Sequence, residues 1–229
     1  MRVSDAEKYY RENSADLGWG TDVARLDSER VELLNRFVSG PRVLDVACGS
    51  GIYTDYLASR GYDATGIDLV AEFIEKASES KRGSYLQGEA ERLPFVAGEF
   101  ETVLLFDILE HGDDVAILRE ASRVASKRIL VNVPRKIDWE LERTGLIFRH
   151  YIDKSHLREY TEERIRTLAR DSGLTITYLH GSSHFVSLDV YKALFSGNKF
   201  VKKVIKTIIM LFLKSNYYPA GFFCVLEKG

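Results

Sequence analysis

Short β-rich runs alternate with helical stretches from residue 42 onward, and this alternation constrains the fold of the 229-residue chain more than any other feature. Strands are predicted over 42–46, 64–67, 85–87, 102–106, 128–131, 175–179 and 222–227, and helices over 52–60, 70–80, 114–125 and 161–172. In the helix at 114–125, Val115, Leu118 and Ser122 are expected to share one face. Thr161 is expected to cap the helix that follows it, with acids in the first turn. Strands alternating with helices build a mostly parallel sheet covered on both faces. Ligands of such sheets bind beyond the carboxyl ends of the strands. Functional residues are therefore expected just after each strand.

Composition narrows the class. An apolar share of 45% is ample for a core, while 17 Gly and 4 Pro exclude a collagen-like chain. Cys48 and Cys224 have neither the number for a disulfide scaffold nor the spacing of a structural zinc site. A reducing, cytoplasmic setting is the simplest reading. Residues 1–10 contain no apolar core of a secretory signal, and no apolar run approaches the roughly 20 residues of a spanning helix. The expectation is a soluble protein. Net charge is −2, but residues 1–133 carry 16 basic and 24 acidic side chains, and residues 134–229 carry 16 and 10. That imbalance gives no concentrated basic face of the kind general nucleic-acid binding requires.

The strongest local signal is Val43-Leu44-Asp45-Val46-Ala47-Cys48-Gly49-Ser50-Gly51, a buried strand running into a turn of small residues and then a helix. Glycines in such a turn let backbone approach a ligand where a Cβ would collide. A dinucleotide fingerprint needs Gly or Ala three residues past its second glycine. That position is Thr54, so the dinucleotide version fails there. The second strand ends in Gly66-Ile67-Asp68, with Leu69 following. An acid at this point can accept two hydrogen bonds from a ribose diol. The alternative is that it caps the next helix.

Together these residues resemble the class I S-adenosylmethionine-dependent methyltransferases, in particular the quinone-biosynthesis-type (type 11) small-molecule branch. The resemblance covers about residues 41–179 plus the final strand. Gln87-Gly88-Glu89-Ala90-Glu91-Arg92-Leu93-Pro94-Phe95 is similar to the family's G-D-A-x-x-L-P-F segment, with Glu89 replacing the usual Asp beside the adenine. Phe106-Asp107-Ile108-Leu109-Glu110-His111 is similar to its D-x-L-E-H segment. The resemblance implies an α/β fold: a Rossmann-like, seven-stranded, mostly parallel sheet with helices on both faces, an antiparallel last strand and a helical insertion before it. It implies S-adenosylmethionine as cofactor, held by Asp45, Ala47, Cys48, Gly49, Gly51, Asp68, Leu69, Glu89, Ala90 and Phe106. Backbone near Ala47 and Gly49 suits the cofactor's amino group, and the start of the next helix suits its carboxylate. Methyl transfer is an in-line displacement that needs orientation and, where required, removal of a proton.

Two histidines are candidate bases. His111 follows the fourth strand, where an imidazole could deprotonate an acceptor. The alternative is that Glu110 and His111 only shape a loop ahead of the helix near Asp113. His156 lies in Arg149–Thr161, which in the resembling branch closes over the substrate, with Arg158 able to hold an anionic group. The alternative is local pairing with Asp153 or Glu159. His150 and His156 find no third ligand at a convincing spacing, so no metal is expected.

Tyr9, Tyr10 and Trp19 lie in a polar segment before the core. Residues 1–40 are expected to form a helical lid, with Tyr10 and Trp19 near the substrate; simple packing of these aromatics on the body is the alternative. The core is expected to occupy 41–183 and 219–229. Between these stretches, residues 184–218 form an insertion in which Phe200, Val201, Val204, Ile205, Ile208 and Phe212 recur at helical spacing, and 199–214 holds five lysines and no acid. Such a helix packs on the body, covers a greasy substrate, forms a homodimer or lies peripherally on an anionic membrane.

The functional expectation is a methyltransferase acting on a small or lipid-linked acceptor. Two rivals stand beside it. A nucleic-acid methyltransferase usually carries a proline-containing motif after the fourth strand or a cysteine nucleophile; Asp107-Ile108-Leu109-Glu110 contains neither. A non-catalytic, cofactor-binding partner subunit would keep Asp45, Gly49, Gly51 and Asp68 as they are.

Overall fold

The computed structural model describes residues 7–13, 26–136, 153, 155–182 and 219–228. Trp19, His150 and the whole of 184–218 lie outside the described residues.

Seven strands form one sheet: β1 (Arg42–Val46), β2 (Asp63–Asp68), β3 (Ser84–Gln87), β4 (Phe100–Phe106), β5 (Ala125–Pro134), β6 (Leu174–Ser182) and β7 (Gly221–Lys228). The helices are α1 (Ser28–Phe37), α2 (Ile52–Ser59), α3 (Ala71–Ser80), α4 (Asp114–Val124) and α5 (Glu162–Asp171), and residues 7–13 are also helical. The strand order is β3-β2-β1-β4-β5-β7-β6. β1 to β5 pair in parallel, while β7 lies antiparallel between β5 and β6. The expected sheet, antiparallel last strand included, is the observed one.

Period-two alternation splits the strands between two cores. Leu44, Val46, Val103 and Leu105 face a layer built by Ile117, Leu118 and Ala121 of α4 and Ile165 and Leu168 of α5. Val43, Leu104, Phe106 and Leu130 face Leu33 and Leu34 of α1 and Leu57 of α2. The buried stripe of α4 corrects the sequence expectation. Asp114, Ile117, Leu118, Ala121 and Val124 are buried, whereas Val115 is exposed and Ser122 half-buried. The sheet-facing stripe runs i, i+3, i+4, i+7, i+10 from Asp114 and excludes Val115.

Caps set the helix starts. Asp113 accepts from the N–H groups of Val115 and Ala116, Thr161 from Arg164, and Asp27 from Arg30. No helix among the described residues is long and apolar enough to cross a membrane. The chain leaves β1 toward β2 on one side, yet β4 lies on β1's other side, so the loops after β1 and β4 diverge. A crevice opens at such a switch point.

Candidate active site

The loop after β1 is shaped by residues in left-handed conformation at alternate positions: Ala47 (φ 60°), Gly49 (φ 55°) and Gly51 (φ 73°). A Cβ on Gly51 would sit 2.6 Å from the Tyr85 ring, so glycine is required there on both counts. Gly51 opens α2 with no side chain of its own to cap it, while Asp45 accepts from the Thr54 N–H beneath. The N–H groups at the very start of the helix suit a carboxylate.

Asp68, buried at the end of β2, holds this loop. Its Oδ2 accepts from Gly49 N at 2.8 Å and its Oδ1 from Val70 N at 2.9 Å. The Leu69 N–H is a third backbone donor to this carboxylate, which still leaves acceptor capacity for a ribose hydroxyl. Burial pushes its carboxyl above the usual range, against the pull of those N–H groups. Asp68 is not the cap of the next helix, since that position is Val70. Asp45, beneath the loop, is pushed up to about 7 by burial, with the Thr54 hydroxyl donating to it at 2.8 Å. Leu69 and Ala90 are half-buried, Cys48 and Phe106 buried, and Glu89 is exposed after β3. This donor and acceptor set fits S-adenosylmethionine: an acid for the diol, turn backbone for the amino group and a helix start for the carboxylate.

Sequence reasoning missed Arg30. It projects from the face of α1 that buries Leu33 and Leu34 and reaches Asp107 Oδ2 at 2.6 Å and Asn132 Oδ1 at 2.7 Å. Burial opposes its charge, but Asp107 more than compensates and holds it protonated. The i, i+3, i+4 relation of Arg30 to Leu33 and Leu34 was the available signal. Asp107 itself adopts φ 53°, rare for a residue with a Cβ.

The loop after β4 carries Glu110 and His111, and the chain before α5 brings Asp153, Ser155 and His156 beside them. Ser155 Oγ donates to Asp153 Oδ1 at 2.6 Å and lies 2.8 Å from His111 Nδ1. A hydroxyl has one proton, and the carboxylate can only accept it. His111 Nδ1 therefore carries its proton toward Ser155, and Nε2 bears the lone pair. His156 stacks edge-on against His111 with ring centroids 4.7 Å apart, and its Nε2 lies 3.4 Å from Asp153 Oδ2. Burial, then the neighbouring His156, pulls His111 down to about 4; burial also lowers His156. Both rings are neutral at pH 7.

Tyr10 packs edge-on to His111 with centroids 5.6 Å apart and bonds Ser155, so residues 7–13 lie over this cluster. Arg158 uses its guanidinium on the carbonyls of Leu109, at 2.8 Å, and Gly112, and stands 3.9 Å from Asp114. It braces the loop that carries Glu110 and His111. The expectation of no metal rested on the spacing of His150 and His156. The fold supplies Glu110 and His111 from another segment: ligand atoms of Glu110, His111 and His156 all lie within 4.8 Å of one another.

Residues 44–128, the stretch that holds the β1 loop, Asp68 and the Glu110–His111 pair, match the family model for a methyltransferase domain. Over this stretch, which is less than half of the chain, the sequence is similar to the methyltransferase domain of that family. Over 92 residues this domain is 38% identical to the ubiquinone biosynthesis O-methyltransferase of Psychrobacter cryohalolentis, covering 37% of the chain and 36% of that protein. Over 95 residues it is 39% identical to the same-named protein of Methylococcus capsulatus, covering 38% and 40%. The match thus spans well under half the length of these relatives. The fold is also that of magnesium protoporphyrin IX methyltransferase from Synechocystis PCC 6803, solved with bound SAH (TM-score 0.66, 15% identity, all of both chains).

Proposed function

We propose that the protein is an S-adenosylmethionine-dependent methyltransferase acting on a hydroxyl of a small-molecule acceptor. The observation that carries this reading is Asp68: a buried acid at the switch point that holds the β1 loop through backbone N–H groups and keeps acceptor capacity beside the start of α2. Bound there, S-adenosylmethionine would supply a sulfonium methyl for in-line transfer to an acceptor oxygen, with S-adenosylhomocysteine leaving as the neutral thioether. Asp68 takes the ribose diol, and the start of α2 takes the carboxylate. His111 Nε2 is the proton acceptor, held in that tautomer by Ser155 and Asp153. His156 lowers the basicity of His111 and keeps it neutral before the acceptor arrives. Tyr10 excludes water over the cluster, and Arg158 positions the loop. The relatives' names support an oxygen acceptor.

The finer reading is a lipid-linked acceptor reached at a membrane surface, supported by the five lysines among apolar residues in 199–214. Deleting 199–214 is expected to reduce binding to anionic vesicles; undiminished binding contradicts that part alone.

The test of the main reading is turnover. Incubation with S-adenosylmethionine and a panel of phenolic and aliphatic hydroxyl acceptors is expected to release S-adenosylhomocysteine in an acceptor-dependent way, and His111→Gln to abolish it. Tight cofactor binding with no turnover on any oxygen, nitrogen or carbon acceptor would favour a non-catalytic partner subunit.

A further inference from the structure

Asn132 is the polar exception in an apolar stretch of β5. It is 2% exposed and stands between Val131 and Val133, which are buried as well. Period-two alternation puts it on the face of Leu130, the one that packs against Leu33 and Leu34 of α1, where an apolar side chain would fit the surroundings. A buried amide is costly unless it is hydrogen-bonded. Asn132 meets that condition through three different elements. Its Nδ2 donates to Ser182 Oγ on β6 at 2.8 Å and to the Phe222 carbonyl on β7 at 3.3 Å, and its Oδ1 accepts from Arg30 Nη2 on α1 at 2.7 Å. The Phe222 carbonyl can only accept. The amide therefore has one workable orientation, and its oxygen is committed to Arg30.

The same residue also grips Asp107. Phe106 and Asn132 are the last paired residues of β4 and β5, and just beyond them the Asn132 carbonyl accepts from the Asp107 N–H at 3.0 Å. Both carboxylate oxygens of Asp107 lie on Arg30 Nη2, at 2.9 and 2.6 Å, the nitrogen that Asn132 Oδ1 holds. Asp107 is thus fixed through its main chain by Asn132 and through its side chain by the guanidinium that Asn132 aims. Its φ of 53° is a conformation that a residue with a Cβ keeps only where its surroundings over-determine it. The chain leaves this turn toward Glu110 and His111, and Arg158 braces the same loop farther on, at the Leu109 and Gly112 carbonyls.

We infer that Asn132 is a positioning residue for the reaction: through Arg30 it sets the left-handed turn at Asp107, and with it the direction in which the loop after β4 presents His111. Ser182 and Phe222 tie the amide to the sheet, so the loop takes its position from rigid strands. The inference rests on the proposed function in one respect, the role of His111 as proton acceptor.

The experiment is hydrogen exchange of the full chain, read by mass spectrometry over Asp107–His111, for wild type, Asn132→Leu, Arg30→Met and the double variant. Each single variant is expected to speed exchange there at least about tenfold, while β1 and β2 keep their protection. Because Asn132 acts through Arg30, Asn132→Leu is expected to add nothing in the Arg30→Met background. Turnover is measured on the same proteins with the hydroxyl acceptors above, and kcat should fall at least about tenfold in Asn132→Leu as the reacting groups lose their alignment. Thermal melts verify folding, and Asn132→Ala, which needs no extra room, takes the place of Asn132→Leu if the latter does not fold. Unchanged exchange over Asp107–His111 in a folded Asn132 variant, additive effects in the double variant, protection lost equally from β1 and β2, or an unchanged kcat would overturn the inference. If the wild type turns over no acceptor, the proposed function fails and exchange alone decides whether Asn132 holds the Asp107 turn.

Discussion

Thr54 donates its hydroxyl to Asp45 across 2.8 Å, and both side chains are buried. The residue that breaks the dinucleotide fingerprint is therefore the partner of the acid on β1. Room for its side chain comes from the neighbouring strand: a Cβ on Gly66 would lie 2.9 Å from Thr54 Oγ1 and 2.8 Å from Cys48 Sγ. The close helix–sheet approach made by a helix glycine in the dinucleotide fold is made here by a strand glycine.

Gly66→Ala is accordingly expected to destabilise the protein by about 1–3 kcal/mol through overpacking. Urea unfolding measures this, and an unchanged midpoint would show that the β1 loop can yield.

Asp45 links stability to pH. Its carboxyl, ordinarily near ~3.9 in an unfolded chain, is pushed up to about 7 by burial in the folded protein. Between these values the native state keeps a proton that the unfolded state has lost. The Asp45 contribution to stability therefore falls as pH rises from about 4 to about 7 and levels off above, by something on the order of 4 kcal/mol. Burial of Glu110 adds a slope of the same sign, whereas His111 and His156, buried neutral, add one of the opposite sign below about pH 6.5. The Asp45 part is read as the difference between wild type and Asp45→Asn: the variant should gain stability relative to wild type as pH rises from about 4 to about 8. A difference that does not change with pH would contradict the buried, protonated acid.

Asp68→Ala removes the acceptor of Gly49 and Val70 N–H groups as well as the proposed ribose contacts. S-adenosylmethionine affinity should weaken by at least about tenfold, which corresponds to about 1.4 kcal/mol, as measured by titration calorimetry. Unchanged affinity in a folded variant would move the ribose elsewhere.

Arg158→Lys separates two roles. A brace for the Leu109–Gly112 loop predicts lower kcat, unchanged cofactor affinity and a stability loss of about 1–2 kcal/mol. If the residue instead holds an anionic group of the acceptor, KM rises and kcat does not change.

Much of the fold was legible because its signals are local. Val43–Val46 and Thr102–Phe106 read as buried strands, Thr161 and Asp113 as helix starts, and Asp68 as the acid closing β2. The face of α4 was misjudged because Val115 and Ile117 are both apolar, and only the packed sheet decides between them. Arg30 was passed over because its meaning depends on Asp107 and Asn132, which are distant in sequence. The Glu110–His111–His156 cluster was invisible to spacing for the same reason: His111 and His156 belong to different crossovers, and Asp153 acts through Ser155.

The most direct test of the central claim is thermal unfolding of the full chain with S-adenosylmethionine, S-adenosylhomocysteine and NAD in parallel. A ligand that binds only the folded state stabilises it by about 2.7 kcal/mol at a hundredfold excess over its Kd, which raises Tm by roughly 5–10 °C for a chain of this size. Upward shifts with both sulfur nucleotides and none with NAD are the predicted result. A shift with NAD alone would contradict the reading of Thr54, Asp45 and Asp68 as parts of a methyltransferase cofactor site.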